Sequence, residues 1–319
     1  ALLWTLVGTA RMWERRCTDA DFCHVRVGRG GQRLATRLVA PDTGPLEDLE
    51  PVAAVSLRRF VRAHSVVPAL PTAVALRGFA AIGLAGDRQA ARSLVRAMLI
   101  QLCTFHGPDV LRVAVVCGPD TAAEWEWAKW LPHVQHPDAR DGAGSARMVF
   151  GSVLELETDL APVLSTRGRF TRNAPAVEGV PQLVVVVDGG VSGSGSGLLE
   201  DGLDSLTILD LSGFAPRLAS ARGLQLVVED GSVGARSGVE VESFADADSV
   251  SAPRAQTVAR RLAPYRVVAQ ASAGDNSDEG PATWQDLVGV GDVLRFDPGR
   301  AWVPRRGRDR LRVPIGVDP

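Results

Sequence analysis

The segment PQLVVVVDGG, residues 181–190, constrains the fold more than any other part of this sequence. Four consecutive valines precede Asp188, and a run without polar alternation predicts a strand covered on both faces, as in a parallel sheet. Similar apolar segments recur between helix-like segments from about residue 71 to 270: FAAIGLA, LRVAVVC, ARMVF, LTILDLS and LQLVVED. This alternation predicts an α/β fold, with a mainly parallel sheet covered by helices.

Four of the intervening segments have apolar residues at helical spacing. They are DRQAARSLVRAMLIQLCTFH, AAEWEWAKWL, SVLELETDLAPVL and APRAQTVARRLAPY. On the first of these helices, Arg88, Arg92 and Arg96 share a face opposite the apolar one. Two interpretations remain open: the arginines form a solvated stripe, or Arg88 fills an anion position from inside the protein.

Composition divides the chain into three expected regions. Residues 1–70 form a small N-terminal α+β segment, in which HVRVG and RLATRLV, split by GRGG, predict a hairpin. A helix is expected in PLEDLEPVAAVSLRRFVRAHS, whose acids precede its arginines in the order that suits the helix dipole. Residues 71–270 form the main domain, and residues 271–319 are expected to be a linker leading to another domain of a longer protein.

Composition also excludes several classes of protein. A net charge of −2 gives no general attraction to nucleic acid, and no apolar run reaches the roughly 18 residues that a membrane span needs. The four cysteines form no CxxC pair, which predicts buried free thiols in a reducing compartment. His133 and His136 have HxxH spacing but flank prolines, so we expect surface-loop histidines and no metal site.

Asp188 raises the question of nucleotide chemistry. In phosphate-binding α/β proteins, an acid at the end of such a strand holds Mg²⁺, which prefers carboxylate oxygen. A phosphate loop of the form GxxxxGK[ST] should then follow an earlier strand. The eight matching places read Gly83, Leu84, Ala85, Gly86, Asp87, Arg88, Gln89 and Ala90.

Only the first glycine of that loop, Gly83, is kept. Arg88 replaces the second glycine, Gln89 the phosphate-binding lysine and Ala90 the hydroxyl that reaches the metal. The only lysine of the chain, Lys129, lies in a different predicted helix, and Gly189 follows Asp188 where many such ATPases have a second acid. The sequence therefore predicts a degenerate nucleotide site with no assigned catalytic residue.

Three tryptophans lie close together in EWEWAKWLPH. Trp125, Trp127 and Trp130 either pack a helix on the sheet edge or form an apolar contact for a partner, because exposed tryptophans make strong anchors. The sequence leaves both interpretations open.

Several segments together carry a family resemblance: RMWERR, DLEPV, LRRFVRAHS, WLPHVQHP, PQLVVVVDGG and LRVPIGVDP. As a set they resemble the EccC subunit of type VII (ESX) secretion systems, which is an FtsK/SpoIIIE-type ATPase. The similar region lies between the membrane stalk and the first ATPase domain.

This resemblance implies an FtsK-like P-loop NTPase fold, in which Asp188 corresponds to the magnesium acid and Gly83 to the first P-loop glycine. It also implies a location on the cytoplasmic face of the plasma membrane, anchored by helices outside this sequence. The implied partners are EccB, EccD, EccE, other EccC copies in a hexamer and WXG-type secreted substrates. ATP and Mg²⁺ are expected in adjoining ATPase domains and not in this segment.

Two functions follow as hypotheses. The first is a catalytically degenerate domain that couples the ATPase motor to the membrane pore. The alternative is an unconventional nucleotide site, in which Asp188 still holds Mg²⁺ and an arginine replaces the missing lysine.

Overall fold

Ten strands form one mixed sheet, in which six neighbouring strands run parallel. The computed structural model describes residues 5–36, 38–39, 50–142, 144–172, 174–192, 196–265 and 297. The chain divides into two compact units, Ala1–Val267 and Val268–Pro319. The described helices and strands all lie in the first unit.

The described strands are numbered in chain order. They are β1 (His24–Arg33), β2 (Val66–Ala75), β3 (Ala81–Gly86), β4 (Leu111–Cys117), β5 (Gln135–Asp141), β6 (Gly144–Arg147), β7 (Val149–Phe150), β8 (Gln182–Asp188), β9 (Leu206–Asp210), β10 (Leu224–Glu229), β11 (Ser232–Ser237) and β12 (Glu240–Ala247). The large sheet has the order β2-β1-β12-β11-β10-β3-β9-β8-β4-β7, and β5 pairs separately with β6. Strands β10 to β7 in this order are parallel, whereas β2, β1, β12 and β11 extend the sheet in antiparallel fashion.

Helices follow most of the parallel strands. The described α-helices are α1 (Pro51–His64), α2 (Arg88–Phe105), α3 (Ala122–Trp125), α4 (Val153–Asp159), α5 (Ala161–Leu164), α6 (Gly197–Glu200), α7 (Pro216–Arg222) and α8 (Ala252–Leu262). Short 3₁₀ helices span Leu76–Gly78, Glu126–Trp130 and Pro132–Val134. Every residue of β8 is buried, so the sheet is covered on both faces at this strand. The prediction of a mainly parallel sheet covered by helices is confirmed.

The predicted hairpin in the N-terminal segment is wrong. Strand β1 runs without a turn through the glycines expected to form one, and pairs with β2 on one side and β12 on the other. A Cβ atom on Gly28 would lie 2.2 Å from the carbonyl oxygen of Asp246, and one on Gly30 would lie 2.0 Å from that of Phe244. The glycines therefore allow close approach to β12 instead of forming a turn.

The sheet crosses the expected boundary near residue 70, because β1 and β2 belong to the same sheet as the strands of the main domain. The predicted helix of this region forms as α1, and the side chain of Glu50 caps its first turn. The predicted linker at 271–319 lies outside the described residues, apart from residue 297.

The predicted burial of free thiols is confirmed for three of the four cysteines, whereas the predicted surface position of His133 and His136 is wrong. All four cysteines are free; Cys23, Cys103 and Cys117 are buried, and burial raises the pKa of the Cys23 thiol to about 12. His133 and His136 are buried instead of lying on the surface, because the 3₁₀ helix at Pro132–Val134 packs into the core. Among the described residues, no group of three His, Cys, Asp or Glu side chains could hold a metal ion, and no helix is long and apolar enough to cross a membrane.

Two buried imidazoles are joined through the backbone. His133 donates from Nε2 to the carbonyl oxygen of His106 at 2.8 Å. His106 donates from Nδ1 to Leu102 and accepts at Nε2 from the backbone N–H of Cys23, each at 3.0 Å. Burial is the main reason that the pKa values of His106 and His133 fall from 6.5 to about 4.

These two histidines should make the fold sensitive to mild acid. Between pH 6.5 and about 4 the unfolded chain binds protons that the folded chain does not, so stability falls as the pH falls. We expect each histidine to contribute a loss of about 2 kcal/mol between pH 7 and pH 5. Urea unfolding at both pH values should show a smaller loss for His106→Gln than for wild type, whereas exposed His64→Gln should leave the loss unchanged. An equal loss in His106→Gln would contradict this assignment.

Candidate functional site

Asp188 ends β8 at the carboxyl edge of the parallel strands, and its side chain is 0% exposed. Arg92, on the second turn of α2, binds the carboxylate with two hydrogen bonds, Nε to Oδ2 at 2.6 Å and Nη2 to Oδ1 at 3.2 Å. The indole Nε1 of Trp125 donates to Oδ2 at 2.9 Å. Both carboxylate oxygens are therefore occupied by protein donors, in the bidentate geometry that arginine favours.

A second arginine and an acid extend this pair. Arg96 is 1% exposed and donates to Glu124 at 3.0 Å, to the carbonyl oxygen of Val250 at 2.9 Å and to the hydroxyl of Ser93 at 3.1 Å. The Oε1 atom of Glu124 also lies 3.9 Å from Nη1 of Arg92. The hydrogen bond to Asp188 raises the pKa of Arg92, whereas burial lowers that of Arg96. Two arginines and two acids thus form one charge-balanced cluster, which we call the Asp188 cluster.

The backbone after Asp188 is fixed by its neighbours. Thr121 donates its hydroxyl to the carbonyl oxygen of Asp188, and Ser212 accepts from the N–H of Gly189 at 2.5 Å. Gly189 and Gly190 have φ of +90° and +83°, a region that favours glycine. The position where many related sites carry a second acid therefore has a backbone conformation that disfavours one.

Where a phosphate loop would lie, the chain forms a short junction between β3 and α2. Strand β3 ends at Gly86, α2 begins at Arg88, and only Asp87 separates them. Asp87 caps the helix by accepting from the N–H of Ala90 at 2.6 Å, while its own N–H donates to Val228 at 2.8 Å. The carboxylate thus lies where a helix N-terminus would otherwise attract an anion.

These residues do not fit a magnesium nucleotide. A phosphate loop needs several free backbone N–H groups around the anion, but here one residue connects strand and helix. A magnesium ion needs open carboxylate oxygens, but Arg92 and Trp125 bind those of Asp188. The capping carboxylate of Asp87 would also repel phosphate.

None of the hydrogen bonds to the Asp188 carboxylate comes from Gly83, Arg88 or Gln89. Gly83 lies within β3 and is paired with Asp210 and Gln225, while Arg88 and Gln89 are exposed at the start of α2. The interpretation of the arginines as a solvated stripe is wrong for Arg92 and Arg96, which turn inward to acids. Arg88 is exposed, and the arginine of this face that binds Asp188 is Arg92.

The partner-contact interpretation of the tryptophans is wrong for two of them. Trp125 and Trp127 are buried, and Trp125 donates a hydrogen bond to Asp188. Trp130 is 37% exposed, and the guanidinium of Arg260 lies 4.9 Å from the centre of its ring. Partner contact stays a prediction for Trp130 alone.

Sequence reasoning missed Arg92, Glu124 and Thr121 as parts of the site. Arg92 and Asp188 are 96 positions apart, and no local spacing pairs them. The available signal was the i,i+4 spacing of Arg92 and Arg96 on a helix that packs against the sheet. Taken together, the fold and this cluster define an α/β domain with an internal ion pair at the carboxyl edge of its parallel strands.

Comparison with known proteins gives relatives over the whole chain, although no family model matches. The ESX secretion system protein EccC of Thermomonospora curvata is 42% identical over 321 residues, covering 99% of this chain and 24% of that protein. The ESX-4 secretion system protein EccC4 of Mycobacterium tuberculosis is 37% identical over 319 residues, covering 100% of this chain and 23% of that protein. A solved structure of Thermomonospora curvata EccC (ATPases 2 and 3) in complex with a signal sequence peptide has a TM-score of 0.44 and 14% identity, covering 81% of this chain and 50% of that one.

The chain is therefore a homologue, over its whole length, of one segment of the EccC proteins of ESX secretion systems. The resemblance noted from the sequence is confirmed. The chain spans about a quarter of the length of these two relatives.

Proposed function

We propose that this chain is the part of an ESX secretion motor that couples neighbouring parts of the machine without binding nucleotide itself. The Asp188 cluster carries this proposal, because an arginine and an indole bind the carboxylate at the place where a motor domain would hold Mg²⁺. The homology to EccC proteins supports assignment to ESX secretion.

Under this proposal the domain has an FtsK-like fold that has kept its strands and helices but has lost the residues that bind and hydrolyse ATP. An ion pair formed within the chain does not depend on a ligand, so the domain should have one conformation with and without ATP. Such a domain can pass movement between a motor and a pore as a rigid part.

The EccC homology supports the surroundings that we propose for this domain. ATP and Mg²⁺ act in adjoining ATPase domains, and the domain lies on the cytoplasmic face of the plasma membrane. Its proposed partners are EccB, EccD, EccE and other EccC copies in a hexamer, with WXG-type proteins as secreted substrates of the whole protein.

The first test is a titration of this chain with fluorescent ATP, with and without Mg²⁺. We expect no saturable binding up to about 1 mM, a dissociation constant that corresponds to roughly 4 kcal/mol. Binding tighter than about 100 μM that is lost in Asp188→Asn would instead support the alternative, in which Arg92 leaves Asp188 and a metal replaces it. A mixture of this chain with ADP in place of ATP is the matched nucleotide control.

The coupling role needs a separate test in cells that secrete an ESX substrate. The double variant Arg92→Met/Asp188→Asn removes the charges of the pair while keeping its approximate volume. We expect secretion to follow the amount of folded, assembled protein. Loss of secretion by a variant that folds and assembles normally would contradict the proposal, since it would assign the carboxylate a chemical task.

A further inference from the structure

A cavity lies at the edge of the sheet opposite the Asp188 cluster. Its volume is about 220 Å³, and it is lined by residues at the start of β4 and β8 and by the segment around α5. Leu183, in its wall, precedes Asp188 by five residues on the same strand, which separates the two regions by about 16 Å. The cavity is therefore distinct from the degenerate nucleotide site.

Arg112 brings a positive charge without a partner to this cavity. It is the second residue of β4 and half-buried, and its side chain forms no hydrogen bond or ion pair within the described part of the chain; its Nε is buried without an acceptor. Burial lowers the pKa of Arg112, and the charge of exposed Asp138 opposes this only in part. A desolvated guanidinium without a counter-ion is costly, which gives an anion a strong reason to bind.

Arg167 brings a second cation to the same wall. Its Nη atoms donate to backbone carbonyl oxygens, at 2.8 Å for Pro181 and more closely for Ser205, and its Nε is buried without an acceptor. No described carboxylate forms an ion pair with it. Burial, and next the charge of Arg112, lower the pKa of Arg167 to about 10. The backbone contacts hold this arginine in place without neutralising it.

The rest of the wall is apolar. Apart from the two arginines, Thr166 and Gly179, it consists of aliphatic side chains and prolines, which include Met148, Leu160 and Val163. Inorganic phosphate is strongly hydrated and would lose water on binding to this apolar wall. A carboxylate attached to an apolar group would instead pair with the arginines and pack its apolar part against the aliphatic side chains. The volume is below the roughly 300 Å³ of the smallest drug-sized pockets, so the bound group must be short.

We propose that this cavity binds the carboxylate of a short apolar group, with Arg112 as its main charge contact. The group is either a small aliphatic acid or the free C-terminus of a peptide that ends in an apolar residue. Arg112 binds the carboxylate oxygens through its free Nη groups, and the charge of Arg167 in the same wall adds positive potential. This inference does not depend on the proposed coupling function.

The test is calorimetric titration of this chain with hexanoate, with a tripeptide ending in leucine and with the same peptide amidated. We expect saturable binding of at least one of the two acids below about 50 mM and none of the amide. Arg112→Met should weaken binding at least tenfold, and Arg112→Lys should weaken it less, because lysine keeps the charge but not the paired N–H groups. Arg217→Met, which removes an exposed arginine outside the cavity, should change affinity by less than about twofold.

The two acids distinguish the source of the carboxylate: tighter binding of the peptide acid indicates a chain terminus, and tighter binding of hexanoate indicates a small molecule. Equal binding of the amidated peptide, stronger binding of inorganic phosphate, or unchanged affinity in Arg112→Met would each overturn the proposal. Absence of saturation by both acids would overturn it as well. Thermal unfolding of Arg112→Met checks its fold, and Arg112→Lys keeps the test decisive if the methionine variant is unstable.

Discussion

Replacing Arg92 by methionine should lower the free energy of unfolding by about 3–5 kcal/mol, because it leaves a buried charge without its counter-ion. Asp188 has no exposed surface, and after the change Trp125 is the only side chain still donating to it among the described residues. Urea denaturation followed by tryptophan fluorescence would measure the loss. A cost below about 1 kcal/mol would mean that the pair is unimportant for the fold.

Arg88→Met is the matched control, since Arg88 lies one turn earlier on α2 and is exposed. Its cost should stay within about 0.5 kcal/mol. The double variant Arg92→Met/Asp188→Asn should be less destabilised than the sum of its single changes, because the isolated charge is then removed. Simple additivity would contradict a direct interaction between the two side chains.

Gly190→Ala should lower the free energy of unfolding by about 3–5 kcal/mol, for two separate reasons. Gly190 has φ of +83°, which strains any residue with a Cβ, and that Cβ would lie 2.5 Å from the carbonyl oxygen of Gly151. Backbone of the neighbouring segment cannot move aside as a flexible side chain could, so the clash adds to the strain. Thermal and urea unfolding of this chain would measure both together.

Gly231→Ala separates these two effects. Gly231 has a similar φ of +74°, but nothing lies within 4 Å of the position that its Cβ would take. It should therefore show only the backbone cost of about 1–2 kcal/mol. Equal costs at the two positions would show that the clash with Gly151 is relieved by local movement.

The parts of the fold that the sequence predicted are those with strong local patterns. Strand β8 has an unbroken apolar run, and α2 has a long apolar stripe. The apolar pattern of a strand or a helix lies within one element, so the order of residues is enough to predict it. The degenerate phosphate loop stays a prediction, and it too was inferred from a local pattern, the eight consecutive positions from Gly83 to Ala90.

The parts that were missed depend on contacts between distant segments. The glycines of β1 suggested a turn, but their role is to admit the backbone of β12, more than 200 residues later in the chain. The inward direction of Arg92 depends on an acid from β8 and a tryptophan from α3. From its residue type alone, an arginine on a helix is predicted to be exposed, because arginine is mostly exposed unless it is paired.

The two outer strands of the sheet limit how this domain can join an assembly. Strand β2 carries Pro68 and Pro71, which lack the N–H groups that a further strand would need, and β7 at the other end has only two residues. Proline and short length are common protections against edge-to-edge pairing. These edges disfavour extension of the sheet by a strand of another protein, so any contact with this domain should form through side chains and not through a shared β-ladder.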